Sequence, residues 1–174
     1  MTRANQIITY SLYFLLFAAL QVLLFLHLSL FDGRALCFIY IAFILMLPYQ
    51  TPPVFLILIG LFTGIFVDIF YNSLGIHAAA TVLVAYLRPY IVNMLTPRGG
   101  YDDGVTISIG SLGLQWFVSY AAIIILIHHA FLFFIWSLGY NSILLTLEKI
   151  LASAIFTLVM VILVQYLIQS PRKN

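Results

Sequence analysis

GLFTGIFVDIFYNSLGIHAA, residues 60–79, places a carboxylic acid inside an apolar run, Asp68 between Val67 and Ile69. Gly60, Gly64, Asp68 and Asn72 recur at intervals of four, so on a helix they share one ridge. A Gly-x-x-x-Gly ridge lets a second backbone approach closely. Asn72-Ser73-Leu74-Gly75 then signals a turn, and His77 followed by Ala78-Ala79-Ala80 opens another helix with a small-residue face. The stretch reads as a tightly packed helical hairpin with its acid at the seam, not facing lipid. An ionised acid in an apolar helix is costly and is retained for a reason. Two reasons stay open: a structural hydrogen-bonding residue that fixes the turn, or a contact with a partner or ligand.

Composition sets the class around this hairpin. Of 174 residues, 64% are hydrophobic and only 7% charged. The mean hydropathy is +1.16. A soluble domain carries about 25% charged residues, so an integral membrane protein with one domain is expected. The formal net charge of +2 comes from dispersed basic residues, which excludes a clustered nucleic-acid footprint. Cys37 is the only cysteine, so no intramolecular disulfide forms. It reads as a small buried hydrophobe.

Spans of about 17–25 apolar residues are expected over 7–31, 34–50, 54–71, 76–95, 112–136 and 143–168. The uncharged run Ile7 to Phe31 is longer than a signal-peptide core and no small-x-small site follows it, so it is read as a retained first span. The second segment is short: Ala35 to Leu47 as helix would reach only about 20 Å. It either borrows flanking residues by snorkelling or re-enters, and Pro48 and Pro52-Pro53 break the backbone after it. Gly139-Tyr140-Asn141-Ser142 is a turn, TPRGGYDDG (96–104) the one polar loop, and SPRKN a basic tail. Arg3, Arg98, Arg172 and Lys173 on one side, against Arg34 and Lys149 each beside an acid, favour cytoplasmic N- and C-termini.

On that topology Asp68 and His77 lie within about 5 Å in depth, whereas Asp68 and Arg88 differ by about 12 Å. His77 and the turn Asn72-Ser73 are therefore the expected partners of Asp68, and Arg88 is expected to snorkel toward the cytoplasmic headgroups. Metal binding is not expected. His128 and His129 point about 100° apart on a helix, and His27 and His77 stand alone in sequence without a ligand at zinc spacing. All four histidines are read as interfacial polar residues on the outer side. No motif sets a nucleophile beside a base or cradles a phosphate. Asp102-Asp103 read as solvated loop acids, with docking as the sharper alternative. The aromatics, 16% of the chain, suit interface belts and helix packing.

A family resemblance is carried by Gly64, Asp68, Ser73-Leu74-Gly75, His77-Ala78 and Val84-Ala85-Tyr86-Leu87. This pattern resembles the rod shape-determining protein MreD family, and TPRGGYDD looks like its Bacteroidetes-type version. The motif region covers about a third of the chain; the rest agrees in length, hydropathy and span count. The resemblance implies an all-α integral membrane protein with six transmembrane helices, the second short, similar in fold to the substrate-binding subunits of vitamin transporters. It implies a non-catalytic scaffold of the wall-elongation complex in the bacterial inner membrane. Its partners would be a single-span MreC-like protein, through it an actin-like filament and the wall synthase pair, and the bilayer, with no cofactor. Homo-oligomerisation is left open. Gly60, Gly64, Asp68, Asn72, Gly75, His77 and Arg88 are the expected packing or partner residues. The alternative is a substrate-binding subunit of an energy-coupled vitamin transporter, although the first helix lacks the Ala-x-x-x-Ala coupling pattern expected of one. A lipid-modifying enzyme is a third and weaker reading, resting only on the Asp68–His77 neighbourhood.

Overall fold

The computed structural model describes residues 3–102, 105–137 and 142–168. Residues 139–141 of the turn expected at 139–142, and Asp103, Arg172 and Lys173, lie outside the described residues. Helix α1, Arg3–Leu20, continues through a wide π-type turn at Gln21–Phe25. It stops short of Phe31 because a small hairpin follows. Strands β1, Ser29–Leu30, and β2, Ala35–Leu36, pair antiparallel with Ser29 opposite Leu36. Phe31, Asp32 and Gly33 all take positive φ to turn the chain between them.

The segment 34–50 corrects the expectation of a short second spanning helix. Its only helix is α2, Ile41–Met46, six residues long. Before it the backbone runs extended and then turns. Extended residues advance about 3.3 Å each against about 1.5 Å in a helix. The extended stretch therefore gives the segment more reach than a helix of the same residues would have. It runs through the protein: Cys37, Phe38, Ile39, Ile41, Ile44 and Leu45 are fully buried. Non-helical backbone survives at such depth only where protein satisfies it, and here side chains do so. Leu36 N–H donates to Ser153 Oγ at 2.9 Å and Phe38 N–H to Thr157 Oγ1 at 3.0 Å. Tyr40 N–H donates to Gln21 Oε1 at 3.3 Å, while Gln21 Nε2 donates to the Cys37 carbonyl at 3.2 Å. Residues two apart on an extended chain thus meet hydroxyls four apart on one helix, two periods of nearly equal length.

Helices α3, Pro53–Tyr71, and α4, Ile76–Met94, form the hairpin and make the most extensive helix pair in the fold. The short α5, Ile109–Leu112, leads into α6, Leu114–Trp136, and α7, Ile143–Ile168. Helices α4, α6 and α7 pack in series, and β2 lies against α7. The main core gathers around α2, with Leu56, Val84, Phe117, Tyr120 and Ile124 fully buried against it. Four helices among the described residues are long and apolar enough to cross a membrane: Asn5–Phe25, Pro53–Tyr71, Leu114–Trp136 and Ile143–Ile168. The architecture is that of an all-α membrane protein. Helix α4 equals α3 in length but carries the buried Arg88 and an internal Pro89.

Candidate functional site

Asp68 lies on the last turns of α3 and reaches across to the start of α4. Its Oδ1 accepts from His77 N–H at 3.0 Å, and its Oδ2 from Ala78 N–H at 2.9 Å. These are the second and third residues of α4, whose amides lack partners inside the helix. An N-cap side chain normally takes them, but the cap position is Gly75, at φ +87°, with no side chain to offer. Asp68 therefore caps α4 from a neighbouring helix. A carboxylate at that point also opposes the positive end of the helix dipole. The Ser73 hydroxyl donates to Oδ1 at 2.6 Å. His77 Nδ1 lies 3.1 Å from Oδ1 and 2.8 Å from Ser73 Oγ. A proton on Nδ1, shared between those two acceptors, satisfies the set.

Of the expected partners of Asp68, Ser73 and His77 meet it through their side chains. Asn72 does not. It is the exposed, left-handed cap of α3, and only its backbone N–H bonds to the Asp68 carbonyl. Gly60 and Gly64 face α4. A Cβ at Gly64 would collide with Ala78 Cα and Thr81 Oγ1 and sit 2.6 Å from Ala78 N. One at Gly60 would lie 3.0 Å from Ala85 Cβ and from the Thr81 carbonyl. The glycine ridge is thus used inside the hairpin.

Arg88 overturns the snorkelling expectation. It is 1% exposed. Its Nε donates to Tyr120 Oη at 2.8 Å, Nη1 to the Pro48 carbonyl at 3.4 Å, and Nη2 to the Leu47 carbonyl. Tyr120 in turn donates to the Leu45 carbonyl at 3.2 Å. Arg88 turned inward because the end of α2 offers unpaired carbonyls that headgroups would otherwise have to outbid. A cation at a helix C-terminus also matches the dipole. Asp68 and Arg88 thus solve the same problem at opposite helix ends, about 16 Å apart along α4 counted from His77.

The histidine expectation is also corrected. His77, His128 and His129 are fully buried within the protein, whereas His27 is exposed. Tyr40 Oη and His128 Nε2 share a hydrogen bond of 2.7 Å. His129 bonds the Ile125 carbonyl at 2.8 Å and Thr157 Oγ1 at 3.0 Å. Phe38 stacks edge-on or tilted against all three imidazoles, with ring centroids 5.3–6.1 Å away. His77 Nε2 and His128 Nδ1 have no hydrogen-bond partner among the described residues, so no continuous bonded relay joins the Asp68–His77 pair to Tyr40–His128. No group of three metal-ligating side chains gathers among the described residues. Near the same end of the bundle, a cavity of about 180 Å³ is lined by Leu36, Phe133, Trp136, Ser137, Thr146 and Lys149, and by none of the histidines.

Sequence reasoning missed Gln21, Tyr40, Tyr71, Tyr120, Ser153 and Thr157. Gln21 bonds Tyr71 Oη at 2.6 Å in addition to the extended segment. A lone Gln in the run Ile7 to Phe31, and hydroxyls four apart at Ser153 and Thr157, were the available signals. Comparison with known protein families, characterised proteins and solved structures gives no match.

Proposed function

We propose that this chain is a non-catalytic membrane scaffold of the MreD type, acting in the wall-elongation complex of a bacterial inner membrane. The observation that supports it is the use made of the buried charges. Asp68 and Arg88 are committed to helix ends, so association is left to the outer faces of the bundle. Of the residues that carry the family resemblance, Gly64, Asp68, Ser73, Gly75, His77 and Ala78 build the capped hairpin. On this reading the chain crosses six times, with 34–50 as a broken second crossing and both termini cytoplasmic. The fold is then similar to that of transporter substrate-binding subunits. Its partners are an MreC-like single-span protein and the wall synthase.

The small cavity beside Trp136 and Lys149 favours a second reading, a substrate-binding subunit of an energy-coupled transporter. Its volume of about 180 Å³ falls below the roughly 300–1,000 Å³ of usual ligand pockets. A pull-down of the tagged chain from its native membranes in mild detergent separates the two. Recovery of MreC-like and wall-synthase proteins is expected. Recovery of an ATPase with its membrane coupling subunit would replace the scaffold by the transporter.

A further inference from the structure

Helices α1 and α3 run side by side with their N-termini at the same end, yet they splay apart. Gln21, just past α1, reaches Tyr71 at the end of α3. Toward the other end a groove of about 1100 Å³ opens between Gln6–Leu15 and Pro52–Thr63, floored by Phe43 and Leu47. We infer that this groove seats one transmembrane helix of a different protein, with hydrogen-bonding side chains on its buried face. The inference rests on the scaffold reading and names the surface that reading requires.

Size points to a helix. A ten-residue helix about 10 Å across and about 15 Å long fills on the order of 1200 Å³. The rims are large and apolar: Phe55 is 59% and Phe62 67% exposed. The α1 wall is different, with Gln6, Tyr10 and Ser11 turned into the groove. Hydrocarbon tails offer these groups nothing, whereas side chains of a neighbouring helix satisfy them. Charge narrows the occupant. Arg88 lies behind Leu47 and Pro48 with no carboxylate at ion-pair distance among the described residues. Leu47 and Pro48, whose carbonyls it meets, both line the groove. The groove is therefore positive at that end, and the incoming helix is expected to bring a carboxylate there. A second copy of this chain does not fit. Among its described acids Asp68 is buried, Asp32 and Glu148 lie toward the opposite end, and Asp102 lies in a loop, so none of these sits on an exposed helix face at that end. An acyl chain would leave the polar wall unmet.

The test is photo-crosslinking in native membranes, with a benzophenone amino acid at Ser11 or Phe62 and, as control, at the exposed Leu163 on α7. The expected result is an adduct from both groove positions and not from Leu163, mapping to a transmembrane segment of another protein. Ser11→Trp, which fills the groove from an exposed position, should cut co-purification of that same protein at least tenfold while leaving the thermal unfolding of the chain unchanged. Adducts with lipid only, with a second copy, or with nothing, while the pull-down still recovers scaffold partners, would overturn the groove and spare the scaffold. If the pull-down recovers no such partners, the scaffold reading and the groove fall together.

Discussion

Replacing Asp68 by asparagine keeps one acceptor oxygen and removes the charge opposing the α4 dipole. Replacing it by leucine strands the buried His77 and Ala78 amides and takes one partner from the Ser73 hydroxyl. Asp68→Asn should therefore lower unfolding free energy by about 1 kcal/mol, and Asp68→Leu by about 2–4 kcal/mol. Equilibrium unfolding in detergent micelles measures both. Equal stability of the two variants would mean that capping is not what the carboxylate does. The spacing around Asp68 made the hairpin and its His77 partner legible in the sequence. The inward turn of Arg88 was not, because its acceptors, Leu47 and Pro48, lie some 40 residues earlier in the chain. Depth along a helix says where a side chain can reach, and only the tertiary fold says whether acceptors wait there. The same holds for His128 and His129, whose partners Tyr40 and Thr157 come from other elements.

At the scale of elements, two contacts decide the bundle. The first is α3 against α4. Gly64→Ala should cost about 1–3 kcal/mol, because the added methyl meets α4 backbone and forces the helices apart. Gly60→Ala should cost less, since 3.0 Å contacts at Ala85 and Thr81 relax with small shifts. Thermal unfolding of the two proteins side by side checks the order, and a Gly64→Ala chain as stable as the parent would contradict the geometry. The second contact is the extended segment against α7. Thr157→Val keeps the shape but leaves Phe38 N–H and His129 Nε2 without that partner. The expected loss is about 1–3 kcal/mol, together with faster amide hydrogen exchange at Phe38 than in the parent. Unchanged exchange at Phe38 would assign its protection to burial alone. The lengths of α3, α4, α6 and α7 were legible because apolar runs of spanning length admit little else. The broken path of 34–50 was not, since periodicity alone does not separate a short buried helix from an extended stretch.

For the whole molecule, the broken segment fixes which loops share a side. If residues 34–50 carry the chain through the bundle, the hairpin at Ser29 and the bend at Gln50 lie on opposite faces of the membrane. If the segment instead dips in and returns, they lie on the same face. The side-chain partners argue for passage. Arg34 pairs with Glu148 near the start of α7 at 2.9 Å, whereas Leu47 and Pro48 meet Arg88 near the end of α4. The surface ion pair adds little stability, but it marks the end of the bundle at which the segment begins. In a Cys37→Ala background, Ser29→Cys and Leu74→Cys should react with a membrane-impermeant maleimide applied to the outside of intact cells. Gln50→Cys and Thr96→Cys should react only after permeabilisation, as cytoplasmic termini require. Labelling of Ser29→Cys and Gln50→Cys from the same face would refute the crossing. Inversion of both pairs would keep the crossing and reverse the orientation, since the charge bias that sets it rests on few residues.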